Sequence, residues 1–225
     1  MNIEELAKQN GFILMGESGV GKSTLINILF DEEVAEVNSG LSPIIEKPQV
    51  YYLKLNSGRC LSLIDTPGLD YTGNENELDD IIKIISEKKI DIKGILFLIN
   101  INLRFIQSQK DSLLSYHKNF PSKNFWKQLI IIFTHCFNDQ VDEEKMQKRK
   151  EGWKRIFSNL MERVKNVSDI IDYKELNIKF YNSYCPQKNE REKIQNKKSK
   201  EDLEVLLNEF CKKEPLYRKK TYQKW

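Results

Sequence analysis

The sequence predicts an α/β domain with a mostly parallel six-stranded sheet, one antiparallel strand, and helices on both faces. Three observations predict it. Short apolar runs alternate with helix-like segments, the pattern of a parallel sheet whose crossovers are helices. A glycine-punctuated loop, GESGVGKST at 16–24, separates the first apolar run from a helix-like run. Asn56-Ser57-Gly58 is a hairpin turn between two strand-like runs, so one of them runs against the rest.

The strands are taken in order as about 11–15 (GFILM), 49–55 (QVYYLKL), 60–64 (CLSLI), 94–100 (GILFLIN), 128–133 (QLIIIF) and 178–182 (IKFYN). One helix follows the glycine loop. A second covers about 76–88, where Leu78, Ile81, Ile82 and Ile85 share a face. A third covers about 143–167, with Trp153, Ile156, Phe157, Leu160, Met161, Val164 and Val167 at helical spacing; these are core positions. A fourth covers about 201–213, with Leu203, Leu206, Leu207 and Phe210 on one face. The stretch before it, about 186–200, is highly charged with no clear apolar face, and is expected to be a surface loop. The expected organisation is a single domain over 1–225, ending in that loop and in a C-terminal helix and basic tail at about 201–225.

Composition narrows the function classes. Hydrophobic residues make up 40% and charged residues 31% of 225, enough apolar mass for a real core. Lys and Arg total 36 against 33 for Asp and Glu, a net charge of +3, too balanced to make nucleic acid the main partner. The basic excess is local, in KKEPLYRKKTYQKW, which is a solvated terminus or a contact with an acidic membrane surface. The four cysteines form no CxxC pair and only two histidines exist, so a zinc site is not expected. The expected setting is the cytoplasm, with peripheral membrane contact through the tail as its variant. No apolar run approaches the length of a membrane span.

Gly16, Gly21, Lys22 and Ser23 match G-x-x-x-x-G-K-[ST] in full. Glycines let such a loop curl its N–H groups toward a β-phosphate, and the following helix adds its positive dipole end. Lys22 is expected between the β- and γ-phosphates, and Ser23 on Mg²⁺. The nucleotide-binding stretch is therefore Gly16, Glu17, Ser18, Gly19, Val20, Gly21, Lys22, Ser23 and Thr24. The loop assigns the sheet to the three-layer sandwich of P-loop NTPases. It does not choose among ATPases, GTPases and nucleotide kinases.

Later motifs make that choice. Asp65-Thr66-Pro67-Gly68 is D-x-x-G at a strand end. Asp65 can meet Mg²⁺ through water, and the Gly68 N–H can bond a γ-phosphate oxygen, a contact that exists only before hydrolysis. A switch also needs a hydroxyl for Mg²⁺ from NSGLSPIIEKPQV; Ser42 and Ser39 are the two candidates. Thr134-His135-Cys136-Phe137-Asn138-Asp139 stands where GTPases place N-K-x-D, with His135 where the lysine would be. Asp139 is the natural carboxylate to read guanine. Tyr181-Asn182-Ser183 ends the last strand, where Asn182 can reach the guanine edge.

GESGVGKST, DTPGL, THCFND, FYNS and the box GILFLININLRF together resemble the AIG-type G domain. This is the domain of the GTPases of immunity-associated proteins, related to chloroplast import receptor GTPases and, more distantly, to septins. The resemblance spans about 10–185. It implies guanine specificity with His135 flanking the base and Asn182 as the fifth-motif contact. It also implies a nucleotide-dependent homodimer across the nucleotide face and membrane association through C-terminal segments.

The residue after D-x-x-G is Leu69, which cannot orient a water molecule, so intrinsic hydrolysis is expected to be slow. Arg104, in the box, is the candidate to act in catalysis from a partner copy beside Lys22; its alternative is a surface or dimer-interface arginine. The expected function is a switch that binds GTP or GDP with Mg²⁺ and hydrolyses GTP to GDP and phosphate. The alternative is a non-enzymatic, GTP-dependent assembly scaffold.

Overall fold

The computed structural model describes residues 2–37, 47–68, 77–101, 107–120, 125–135, 148, 151–157, 159, 177–180 and 190–217. Six strands form one sheet: β1 (Gly11–Met15), β2 (Gln49–Lys54), β3 (Cys60–Asp65), β4 (Ile92–Asn100), β5 (Leu129–Thr134) and β6 (Asn177–Phe180). Their spatial order is β2-β3-β1-β4-β5-β6. β2 pairs antiparallel with β3, and every other pairing is parallel. The hairpin Asn56-Ser57-Gly58 makes that exception, with Gly58 in the left-handed region at φ 82°.

Side chains alternate across the sheet, as strand geometry requires. Ile13, Met15, Ile95, Phe97, Ile99, Leu129, Ile131 and Phe133 pack to one side. Phe12, Leu14, Leu96, Leu98, Ile130 and Ile132 pack to the other. The first side is covered by α3 (Glu77–Lys88), α4 (Gln107–Asn119) and α5, helical over 151–157. The second is covered by α2 (Lys22–Phe30) and α6 (Glu190–Phe210). The expected three-layer sandwich is thus present. A short α1 (Ile3–Ala7) precedes β1, and a 3-10 turn, Trp126–Gln128, leads into β5.

The expected charged loop at 186–200 is corrected over 190–200, where α6 runs unbroken from Glu190 to Phe210; residues 186–189 lie outside the described residues. Its first half is rich in Glu, Lys, Arg and Gln, strong helix formers that need no apolar face when the second half anchors the helix. Leu203, Leu206, Leu207 and Phe210 supply that anchor against α2 and β3. Lys200 ion-pairs with Asp31 at the end of α2, and Arg59 Nε donates to Asn208 Oδ1 at 2.7 Å.

α4 was not expected from the sequence. Its buried apolar face is narrow, Leu113, Tyr116 and the following Phe120 with Leu114 packed at its margin, and its other residues are polar. Leu160, Met161, Val164 and Val167 of the expected third helix lie outside the described residues.

Beyond α6 the chain crosses the sheet at the starts of the strands. Ile92 N donates to Tyr217 O at 2.9 Å and Leu216 N to Ile92 O at 2.6 Å. Lys93 Nζ donates to Lys213 O at 2.6 Å, and Gln128 Nε2 to Glu214 O at 2.8 Å. This strap sits at the edge opposite the carboxyl ends of β1, β3, β4 and β5.

Candidate nucleotide site

In a parallel sheet, ligand-binding loops gather beyond the carboxyl ends of the strands. Here those ends carry Gly16 after β1, Asp65 at the end of β3, the connection after β4, and His135 after β5. Ser39, Ser42, Leu69, Arg104, Asp139 and Asn182 lie outside the described residues. The loop Gly16–Thr24, Asp65, Gly68 and His135 are described, and all of them belong to this edge.

The phosphate loop has little room for anything but its own sequence. A Cβ on Gly16 would lie 2.6 Å from the Leu98 carbonyl oxygen, because the loop crosses directly over β4. Gly21 adopts φ 101°, ψ 23° as the N-cap of α2, so the first helical residues are Lys22 and Ser23. Lys22 is buried and its ammonium folds back over the loop, donating to Gly16 O and Glu17 O, both at 2.9 Å. Two carbonyl acceptors hold the cation over the hollow of the loop, where an anion can meet it together with the N-terminus of α2.

Ser23 Oγ donates to Asp65 Oδ2 at 2.8 Å, joining α2 to β3. Asp65 is fully buried, and its other oxygen, Oδ1, has no hydrogen-bond partner. Burial pushes the Asp65 carboxyl up to about 6, against the pull of Lys22, the Ser23 hydroxyl and the Thr66 N–H. A buried oxygen with an open lone pair, next to a hydroxyl, fits a hard cation that takes oxygen ligands. Among the described residues no group of three or more His, Cys, Asp or Glu side chains could hold a metal alone. Mg²⁺ is characteristically held by one or two protein oxygens, with phosphates and water completing its shell.

Two further residues shape this edge and were not singled out from the sequence. Thr66, also fully buried, donates from Oγ1 to Leu14 O at 2.7 Å and so ties the D-x-x-G turn to the strand that feeds the phosphate loop. The only sequence signal was its place inside DTPG. Thr134 Oγ1 lies 3.3 Å from Ile99 O and 3.1 Å from His135 Nδ1. Ile101 N donates to Thr134 O at 3.1 Å, so the connection holding Arg104 starts beside His135.

His135 is half-buried and adopts φ 57°, a left-handed conformation rare outside glycine. Such strain concentrates at functional positions. Burial holds the imidazole below its usual 6.5, so it is neutral at pH 7. A neutral ring presents a flat face to a base without the cost of desolvating a charge.

A model of the AIG1 family matches residues 10–214. Translocase of chloroplast 34 from Arabidopsis thaliana is 26% identical over 130 residues, covering 55% of this chain and 39% of that protein. The chain spans less than half the length of the chloroplast translocases from Arabidopsis thaliana and Pisum sativum that it matches. Among solved structures, Toc33 from Arabidopsis thaliana in complex with GDP and Mg²⁺ is similar in fold: TM-score 0.68, 20% identity, 90% of this chain and 84% of that chain covered. Another match bears on atToc33 and psToc159, for whose GTPase activity dimerization is important (TM-score 0.72, 17% identity, 95% and 88% covered).

Proposed function

The chain belongs to the AIG1 family, and from that membership and the geometry of its phosphate loop we propose that it is a guanine-nucleotide switch. It binds GTP or GDP with Mg²⁺ and hydrolyses GTP to GDP and phosphate, coupled to dimerisation. The observation that carries the reading is the pairing of two contacts: Lys22 held over the loop by Gly16 and Glu17 carbonyls, and Ser23 joined to Asp65 beside an open carboxylate oxygen. One recruits phosphate charge and the other a divalent cation.

Each residue has a role in this reading. The backbone of Gly16–Thr24 wraps the phosphates, and Lys22 neutralises charge that develops on them. Ser23, Asp65 and a serine of the first switch, Ser42 or Ser39, hold Mg²⁺, which supplies Lewis-acid stabilisation of phosphate charge when bound. Gly68 senses the γ-phosphate. His135 flanks the base, while Asp139 and Asn182 read its edge. Leu69 leaves the water without an orienting side chain, so the lone chain turns over slowly. Arg104 of a second copy completes the site.

The similar structures solved with GDP and Mg²⁺, and the ones for whose GTPase activity dimerization is important, support carrying both properties to this chain as part of the proposal. The protein resides in the cytoplasm with its basic tail near an acidic membrane surface; flotation with anionic vesicles, lost on neutralising the tail, tests that part.

The decisive experiment is calorimetry with GDP, a non-hydrolysable GTP analogue and their adenine counterparts, with and without Mg²⁺, with oligomeric state read in parallel. Tight guanine binding, weak adenine binding and a dimer with the GTP analogue are the expected results. Equal binding of both bases, or no binding, overturns the reading.

A further inference from the structure

Where β5 ends, two adjacent side chains meet. Thr134 is fully buried, while His135 is half-buried and turns left-handed at φ 57°. In that conformation Thr134 Oγ1 lies 3.1 Å from His135 Nδ1. The same hydroxyl donates to Ile99 O of β4 at 3.3 Å. A hydroxyl has one hydrogen and two lone pairs, and a carbonyl oxygen only accepts. With the hydrogen on Ile99 O, a lone pair is what Nδ1 meets. Nδ1 therefore carries the ring proton and Nε2 carries none. The reverse assignment would set two oxygens against each other with no hydrogen between them. Burial keeps the imidazole neutral at pH 7, so only one of its nitrogens holds a proton.

Thr134 is built to impose this arrangement. It is in register with Asn100 of β4, and its carbonyl accepts from Ile101 N at 3.1 Å. Its β-branched side chain is stiff about χ1. At 0% exposure, bulk water does not compete for its hydroxyl. A histidine ring, by contrast, rotates broadly about its last torsion unless something holds it. We propose that Thr134 is a positioning residue for the base site: its hydroxyl relays a hydrogen bond from His135 Nδ1 to Ile99 O, and so fixes the plane and the tautomer of the imidazole that flanks the base. The inference rests on the nucleotide-switch reading above, in which His135 holds that place.

Two consequences separate positioning from mere stability. Holding one side chain in its bound rotamer beforehand is worth roughly three- to tenfold in affinity. That gain passes through the imidazole, so it vanishes when the imidazole is removed. The cation contacts are carried elsewhere, by Ser23 of α2 and Asp65 of β3. The Mg²⁺-dependent part of the affinity should therefore not depend on Thr134.

The test uses the full chain as wild type, Thr134→Val, Thr134→Ser, His135→Gly and the Thr134→Val, His135→Gly double variant. Glycine accepts the left-handed backbone at 135, so the ring is removed without added strain. Nitrogen-15 spectra of the unliganded protein read the tautomer. The sequence has only two histidines, so the His135→Gly spectrum assigns both rings. Calorimetry with GDP, with and without Mg²⁺, reads affinity. The expected wild-type ring is the Nδ1–H form, and Thr134→Val should lose it as the dominant form. Thr134→Val should weaken GDP roughly three- to tenfold with the Mg²⁺-dependent gain unchanged. Thr134→Ser keeps the hydroxyl and should restore most of the loss. Once residue 135 is glycine, Thr134→Val should cost no further affinity. An Nε2–H ring in wild type, an unchanged GDP affinity in Thr134→Val, or an equal loss with and without the imidazole overturns the inference. If wild type does not bind GDP, or His135→Gly binds it as tightly, the base-site reading fails first and takes the inference with it.

Discussion

Asp65 has to hold a charge where water does not reach. Its carboxyl sits at about 6 rather than the usual 3.8 because burial outweighs the help of Lys22 and Ser23. The folded chain therefore binds this proton more tightly than the unfolded chain does. The stability that goes with it is present below about pH 4 and is lost as pH rises through about 6. By pH 7 the ionised carboxylate costs the unliganded protein roughly 3 kcal/mol. Asp65→Asn should then unfold at higher urea than wild type at pH 7, with the gap closing toward pH 4. The same variant should lose Mg²⁺-dependent nucleotide affinity. Lys22→Ala behaves differently. It removes charge-assisted bonds worth about 1.5–3 kcal/mol each, so calorimetry should show nucleotide affinity falling by roughly two orders of magnitude whether or not Mg²⁺ is present. Gly16→Ala would drive a methyl into the Leu98 carbonyl. It should destabilise the fold in urea melts as well as weaken binding.

At the scale of elements, α6 joins a solvated half to an anchored half. Leu207 is fully buried between α2 and the sheet, so Leu207→Ala should cost about 2–5 kcal/mol in urea unfolding. Lys200→Ala removes an ion pair with a largely exposed Asp31 and should change stability by less than about 1 kcal/mol. The same contrast explains what was legible in the sequence. β1, β3, β4 and β5 announced themselves because they are buried on both faces and read as continuous apolar runs. The phosphate loop and D-x-x-G were legible because their chemistry tolerates few residue types. The first half of α6 was not, because its helicity is borrowed from packing further along the chain. Thr66 and Thr134 were missed for a related reason. Each acts by bonding a backbone oxygen that is close only after folding, Leu14 O for one and Ile99 O for the other. No local pattern marks such a partner.

For the whole molecule, the proposed switch needs two copies. Turnover per chain should rise with protein concentration as dimers form, and light scattering should show the dimer with a GTP analogue. An arginine supplied to phosphoryl transfer is worth roughly 10³–10⁵ in rate. Arg104→Ala should therefore flatten the concentration dependence of hydrolysis while leaving thermal stability within about 0.5 kcal/mol. If Arg104→Ala hydrolyses GTP like wild type at every concentration, that residue has no part in the chemistry.

The strap at Tyr217 bears on how the molecule can be held. Gly11 and Ile92 are register partners at the start of their strands, and Tyr217 bridges to Ile92 there. Among the described residues, the chain thus enters the sheet and makes its last backbone bonds to it on one pole, while the phosphate loop opens on the other. A tether, fluorophore or surface linkage placed just beyond Tyr217 would leave the nucleotide mouth facing outward. Two molecules moored side by side on one surface would present their mouths in the same direction. To meet mouth to mouth they would each have to tip over on a pliable leash, so the length of that leash would set how readily moored copies pair.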